Sequence, residues 1–160
     1  MGGSQYPNSG GTYGTLGTAS ASNQPGGRRS ASSAFSSDQC KFFLFGGLGY
    51  GLNSQYGMLN DLWSYDCSTG LWTWESGSSG SNPSATYGSQ GTASTSYAPA
   101  GRQSASLVYK NGYLVLYGGV SYTAYYNDVW VFNTTTKTWA WISGSPTSTQ
   151  TGRENSMKFR

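Results

Sequence analysis

Residues 127–141 read NDVWVFNTTTKTWAW, and this stretch predicts two short strands joined by a polar turn. The run from 129 to 132 is β-branched or aromatic, which suits a pleated, half-buried surface. Polar residues at 133–137 interrupt the run. Trp139 and Trp141 then lie two apart, so they share one face of the second strand. We therefore expect a β-hairpin here.

The same stretch occurs 67 residues earlier, as NDLWSYDCSTGLWTW at 60–74, and the two copies contain every Trp of the chain. The upstream sequence repeats in the same order: Pro25-Gly26-Gly27-Arg28 with Pro99-Ala100-Gly101-Arg102, and Phe45-Gly46-Gly47 with Tyr117-Gly118-Gly119. Self-similarity of this kind is the signature of a repeat architecture. Four strands joined in sequence form an antiparallel meander, which is one blade of a propeller.

The predicted fold class is therefore all-β, with two complete four-stranded blades and the start of a third. We place the strands of the first copy at 31–36, 41–45, 61–66 and 71–75, and those of the second at 105–109, 113–117, 128–133 and 138–142. The chain then divides into an inter-blade segment at 1–27, blade one at 28–75, a second segment at 76–101, blade two at 102–142, and a connection at 143–160. Gly152-Arg153 in that connection is expected to open the third repeat.

The order of these motifs resembles the kelch repeat. The kelch family places an Arg before the first strand, a Gly-Gly pair at the end of the second, an aromatic residue in the third and a Trp in the fourth. The matching residues here are Arg28, Gly46-Gly47, Trp63 or Tyr65, and Trp72, and then Arg102, Gly118-Gly119, Trp130 or Phe132, and Trp139. The resemblance implies a kelch-type β-propeller.

The inter-blade segments also repeat, since a Tyr-Gly-x-x-Gly pattern stands at 13–17 and again at 87–91. This pattern is similar to the long-repeat secreted and surface kelch proteins of bacteria and protists. A shared pattern favours a shared, ordered conformation. The composition alone would also fit a disordered spacer.

The long loops of the meander all fall at one end of the blades, and they are rich in tyrosine. A tyrosine ring offers broad apolar area and a hydroxyl group at low entropic cost, which suits a binding surface. The alternative is that these rings only cover the blades. The candidate binding face consists of Tyr50, Tyr56, Tyr122, Tyr125 and Tyr126, with Tyr87 and Tyr97 nearby.

Two features favour an extracellular or cell-surface location. Cys40 precedes the second strand and Cys67 follows the third, so they lie at the same end of neighbouring strands and favour a disulfide. Two free thiols in a cytosolic protein are the alternative. Asn133-Thr134-Thr135 is the only glycosylation sequon. The sequence therefore predicts a disulfide-bonded glycoprotein.

Catalysis finds little support, because the chain contains no His and so no imidazole base or His-ligated metal. We predict no catalytic residues, metal or cofactor. Asp61 and Asp128 occupy equivalent repeat positions, which indicates loop hydrogen bonds rather than acid–base chemistry. The basic residues are scattered, so no nucleic-acid footprint is expected, and no run of the sequence is long and apolar enough for a membrane span.

We therefore expect a non-enzymatic extracellular protein with a structural or adhesive role through protein–protein contacts, in a filament or surface coat. The alternatives are a carbohydrate-binding module that uses the loop tyrosines, and non-catalytic blades of a larger enzyme. Its partners would be other blades or copies of itself, other surface proteins, or carbohydrate.

Two blades cannot close a ring, since propellers have about four to eight. An open pair is expected to expose aromatic and apolar faces carrying Trp63, Trp130, Phe43 and Leu114. Further blades in the same chain would cover these faces, and assembly of copies is the alternative.

Overall fold

Each copy of the repeat forms one antiparallel sheet in the computed structural model, which describes residues 5–147. The predicted third repeat at Gly152-Arg153 lies outside the described residues. Within 5–147, the helical structure is limited to one 3₁₀ turn at Leu52–Ser54. The all-β prediction is confirmed.

Blade one is a six-stranded sheet in which β3, β4, β5 and β6 form the predicted meander. Its order is β1-β6-β5-β4-β2, with β3 also paired to β4. The strands are β1 (Ala19–Ser20), β2 (Arg28–Arg29), β3 (Ser32–Ser36), β4 (Lys41–Tyr50), β5 (Tyr56–Asp66) and β6 (Leu71–Ser76).

Blade two repeats this arrangement with five strands in the order β7-β11-β10-β9-β8. Its strands are β7 (Ala93–Ser94), β8 (Ser106–Lys110), β9 (Tyr113–Tyr117), β10 (Val129–Asn133) and β11 (Thr138–Ser143). All four predicted strands of this blade agree with the structure within one residue at each end.

The structure departs from the sequence prediction in the middle of blade one. We expected a loop from 48 to 60, but β4 and β5 continue as a paired ladder in which Leu48 faces Met58 and Tyr50 faces Tyr56. The register shifts between Phe45 and Gly47, where both glycines have positive φ angles of 61° and 99°. Glycine accepts that conformation without steric cost, so the Gly-Gly pair forms a β-bulge instead of ending the strand.

Both inter-blade segments fold back onto the blade that follows them in sequence. β1 pairs with β6 through Ala19 and Thr73, and β7 pairs with β11 through Ala93 and Ala140. Bridges at Thr12–Gln24 and Thr86–Ala98 close the two segments in the same way. The segments are therefore ordered extensions of the blades, as their shared pattern predicted.

The hydrophobic core lies between the two blades. Phe43, Phe45 and Leu62 from blade one pack against a set from blade two: Leu107, Leu114, Leu116, Trp130, Phe132 and Trp139. The expectation that an open pair exposes Phe43 and Leu114 is wrong, because each blade buries one face against the other.

Trp63 and Trp130 are also fully buried, which corrects the expectation for the other two residues. Their cover comes from the inter-blade segments, where Tyr13 packs 4.9 Å from Trp63 and Tyr87 packs 5.0 Å from Trp130 between ring centroids. Each segment therefore contributes a tyrosine to the packing of the blade it precedes.

Candidate functional site

Each blade contains a buried ion pair between an arginine and an aspartate, near the end of the blade where the long loops lie. Arg28 donates from Nη1 and Nη2 to the two carboxylate oxygens of Asp61, at 2.6 and 2.8 Å. Two further donors, the Tyr13 hydroxyl and the Trp63 indole Nε1, each reach Asp61 Oδ2 at 2.7 Å. This carboxylate therefore has four donors around it.

Blade two builds the same cluster from the equivalent residues. Arg102 donates to both oxygens of Asp128 at 2.5 and 2.9 Å. The Tyr87 hydroxyl and Trp130 Nε1 reach Asp128 Oδ2 at 2.7 and 2.8 Å. Asp61 and Asp128 are fully buried, so the earlier interpretation as ordinary loop hydrogen bonds is corrected: they are the counter-ions of buried arginines.

The surroundings in the two clusters shift the pKa values of Arg28, Asp128, Tyr13 and Tyr87. Burial opposes the charged forms, but the Asp61 carboxylate raises the pKa of Arg28, and Arg102 lowers the pKa of Asp128. Burial and the adjacent aspartate raise the pKa of the Tyr13 and Tyr87 phenols above their usual value. None of these shifts brings a group toward neutral pH, where general acid–base catalysis operates best.

The arginines also fix the backbone from which the loops begin. Arg28 donates to the carbonyls of Gly26 and Gly46, and Arg102 donates to those of Ala100 and Gly118, all at 2.9–3.1 Å. Each guanidinium thus joins the backbone at the entry of its blade to the first glycine of its Gly-Gly pair. These hydrogen bonds therefore hold the backbone in place where the loops at this end begin.

Two equivalent grooves open at this loop end, one beside each arginine. Groove one has a volume of about 440 Å³. Its lining residues are Asn8, Gly27, Arg28, Arg29, Leu48, Gly49, Tyr50 and Tyr56. Groove two is smaller, about 280 Å³, and is lined by Met58, Asn82, Pro83, Ser84, Ala100, Gly101, Ser121, Tyr122, Thr123 and Tyr126. Asn8 corresponds to Asn82, and Tyr50 corresponds to Tyr122.

The grooves contain four of the five tyrosines of the predicted binding face. In groove one, the rings of Tyr50 and Tyr56 lie 4.9 Å apart and are tilted by 54°. In groove two, the Arg102 guanidinium lies 4.0 Å from the centre of the Tyr126 ring, while Tyr122 is exposed. Tyr125 is 82% exposed and lies outside both linings.

Tyr87 and Tyr97 line neither groove. Both pack against the core between the blades, and Tyr87 is committed to Asp128. The sequence prediction also missed Asn8 and Asn82. The Asn82 side chain accepts a hydrogen bond from the Met58 amide at 2.9 Å and so shapes groove two. The recurrence of Asn at the same place in both copies was the available signal.

The two cysteines lie side by side, as their positions in the meander predicted. Both side chains are exposed thiols, and the Cys67 amide donates to the Cys40 carbonyl at 2.9 Å. A side-chain hydrogen bond with Cys40 is the main cause that raises the pKa of the Cys67 thiol. The disulfide stays a prediction.

Asn133 caps the turn between β10 and β11. Its Oδ1 accepts hydrogen bonds from the amides of Thr135 and Thr136, at 2.9 and 3.1 Å. Among the described residues, Nδ2 makes no hydrogen bond. Glycosylation at this site stays a prediction.

The part of the chain that the structure describes has no group of three or more His, Cys, Asp or Glu side chains placed to hold a metal ion. In the same range, 5–147, there is no helix with the length and hydrophobicity needed to span a bilayer.

Residues 17–158 match the family model described as the KLHDC2/KLHL20/DRC7 Kelch-repeats domain. That match covers both blades, the segment between them and the last 11 residues, 17–27, of the segment before blade one. No curated protein matches the chain.

Proposed function

The chain belongs to the Kelch-repeat family, and from this membership we propose that it is a non-enzymatic extracellular protein with a structural or adhesive role. Kelch-repeat domains are protein–protein interaction modules and are generally non-catalytic. The observation that carries the proposal is the pair of equivalent, tyrosine-lined grooves at the loop end. We propose that this end binds a protein partner.

The chemistry of the grooves suits contact with a protein surface. Tyrosine is enriched in interfaces because a rigid ring provides contact area while its hydroxyl finds a polar partner. The charges of Arg28 and Arg102 are neutralised by buried aspartates, and Arg29 contributes an exposed cation to groove one. A polar or acidic partner segment that crosses both grooves fits this lining.

A position-specific crosslink tests the loop end as the contact surface. A photo-reactive amino acid is introduced at Tyr56 or at Tyr122, and the native material is irradiated. We expect both positions to give the same discrete protein adduct, and Leu16, which is exposed and lines neither groove, to give none. Adducts at Leu16 but not at the two groove positions would contradict the proposal.

The extracellular location is supported by the adjacent cysteines and by the sequon at Asn133. In a secreted protein from a eukaryote, the peptide containing Asn133 should carry a glycan, because its turn presents the side chain near the surface. Mass spectrometry of native material before and after glycosidase treatment measures this. An unmodified Asn133 peptide throughout the native material would count against the location.

Carbohydrate binding is the second candidate, and it is favoured by the high exposure of Tyr125 and Tyr122 on one loop. Exposed aromatic rings can stack on sugar faces. On a glycan array, the wild-type chain would then retain specific sugars, and Tyr122→Ala and Tyr125→Ala would lose them. No signal on the array would exclude this candidate and leave the protein partner as the function of the loop end.

A further inference from the structure

Each blade presents two distinct faces, and matching rows of residues define them. The front face of blade one contains the row Ala34, Phe43, Ser64 and Thr73, in which each residue lies opposite the next across neighbouring strands. The same row in blade two is Val108, Val115, Val131 and Ala140. The back faces carry Phe35, Phe42, Tyr65 and Trp72 in blade one, and Tyr109, Leu114, Phe132 and Trp139 in blade two.

The contact within the chain joins the front of blade one to the back of blade two. Tyr109 stacks on Phe43 with centroids 5.8 Å apart and planes 11° apart. Trp139 meets Phe45 edge-on at 5.7 Å. The Trp139 indole also donates to Ser76 Oγ at 3.1 Å, across the boundary between the blades.

Within residues 5–147 the two outer faces have no such partner, and their side chains are exposed accordingly. On the front of blade two, Val108 is 58% and Tyr117 is 54% exposed. Tyr117 occupies the place of Phe45, which is fully buried. On the back of blade one, Phe35 is 57% exposed, although its counterpart Tyr109 is packed against the core. The exposed front of blade two is thus the counterpart of the front of blade one, and the exposed back of blade one is the counterpart of the back of blade two. Those two counterparts already pack against each other within the chain.

The front of blade two is also more apolar than the front of blade one. Val131 and Ile142 stand where blade one has Ser64 and Glu75. Glu75 pairs with Lys137 at 2.7 Å inside the chain, and Gly70 occupies the place of Lys137 in blade one. Both charges of that ion pair are therefore missing from the two outer faces. A hollow of about 470 Å³, lined in part by Tyr113, Val131, Ala140 and Ile142, runs along this face.

We propose that copies of this chain assemble head to tail, with the front of blade two in one copy against the back of blade one in the next. The internal contact gives the expected pairs: Tyr117 against Trp72, Phe35 against Val115, and the Trp72 indole donating to Ser143 Oγ. A head-to-tail interface closes into a ring if its rotation allows. With the two described blades in each copy, rings of about four to eight blades correspond to two, three or four copies.

Sedimentation equilibrium and native mass spectrometry of the chain test the assembly. We expect one discrete oligomer of two, three or four copies. Tyr117→Asp alters the front and Phe35→Asp alters the back. Because both side chains are more than half exposed, each variant should fold and keep its strand signal in circular dichroism, yet lose the oligomer. Leu16→Asp is the matched control, since Leu16 is 53% exposed and lies outside the strands that form the two faces, and it should assemble as the wild type does.

Mixing the two variants distinguishes this geometry from any other. The Tyr117→Asp copy keeps an intact back and the Phe35→Asp copy keeps an intact front, so the mixture should form a 1:1 heterodimer that grows no further. Homodimers of either variant alone would overturn the proposal, as would a wild-type chain that stays monomeric or forms open-ended filaments. Phe35 and Tyr117 line neither groove, so the two substitutions leave the residues proposed to bind a protein partner unchanged.

Discussion

Asp61 and Asp128 each neutralise a guanidinium that is almost entirely removed from water. Asp61→Asn or Asp128→Asn would leave that arginine charged and unpaired, and breaking one partner of a buried pair typically costs about 3–5 kcal/mol. We expect a loss of this size in the free energy of unfolding, measured by urea denaturation. The effect should be similar in the two blades because the clusters match atom for atom.

Asp66→Asn is the control for these substitutions. Asp66 caps the turn after β5 through the amides of Ser68 and Thr69, and blade two already has Asn133 doing this at the same place. The change should therefore alter the free energy of unfolding by less than about 0.5 kcal/mol. A cost equal to that of Asp61→Asn would mean that loss of a carboxylate charge anywhere, rather than loss of the buried pair, destabilises the chain.

The free energy of unfolding at acid pH should depend on the ion pair between Arg102 and Asp128. Arg102 lowers the pKa of Asp128 in the folded state, so the folded chain binds fewer protons than the unfolded chain near pH 4. The stabilisation is complete above the ordinary aspartate pKa of about 3.9 and is lost as the pH falls through the lowered value. Urea unfolding between neutral and acid pH should show this decline, and Asp128→Asn should reduce it. An unchanged slope in the variant would contradict the assignment.

The repeat identified Arg28, Asp61 and their counterparts from the sequence, but not that they pair. The partners are 33 residues apart in blade one and 26 in blade two, and only the folded sheet brings them into contact. The tyrosine at the start of the Tyr-Gly-x-x-Gly pattern was visible as well. Its burial against a tryptophan depends on how the inter-blade segment folds back, which no local pattern specifies.

The turns that carry Cys40 and Cys67 in blade one make a different set of contacts from the equivalent turns in blade two. In blade two, Thr134 donates from its amide and its hydroxyl to the Gly112 carbonyl, at 2.9 and 2.8 Å. Blade one keeps the amide bond, from Cys67 to Cys40, and replaces the hydroxyl with a pair of thiols. We predict that these thiols are joined in the native protein, so a non-reduced digest should contain the linked peptides.

Cys67→Thr is the matched variant, since it places in blade one the residue that blade two uses. If the disulfide exists, its loss should cost about 2–5 kcal/mol, and the same loss should follow reduction of the wild type. Native cysteines that react fully with an alkylating agent would refute the bond.

The central strands were predictable because their patterns are strong, whereas the additions to them were not. The Trp-x-Trp strands and the β-branched runs alternate clearly, and their ends agree within a residue or two. β1 and β7 have only two residues each, too few for any periodicity, and their partners lie more than 40 residues away. The extension of β4 and β5 was not predicted, because glycines usually weaken or interrupt a strand.

The two blades should unfold as one unit because they share one core. Leu114→Ala removes a fully buried side chain from the contact between them and should cost about 2–5 kcal/mol. Each blade carries three of the six tryptophans, and their fluorescence should change in a single unfolding transition. Leu52→Ala, at a partly exposed turn position, should leave the midpoint nearly unchanged. Two separate transitions in the wild type would contradict a shared core.

The assignment of faces shows the limit of sequence reasoning for this pair of blades. Repetition predicted that two blades need neighbours, and Phe35, Val108 and Tyr117 are indeed exposed on the outer faces. The residues named from the sequence were instead the most buried ones. Where both faces of a strand carry apolar residues, the sequence does not indicate which of the two faces packs against the next blade.

The strand that each inter-blade segment adds at the rim has a consequence for synthesis. An uncovered outer strand would offer a row of free backbone groups to any other extended chain, which is a common route to aggregation. β1 and β7 occupy that row on β6 and β11, and being two residues long they present little edge of their own. Both precede their blades in the sequence, so each cover has already left the ribosome when the strand it protects emerges.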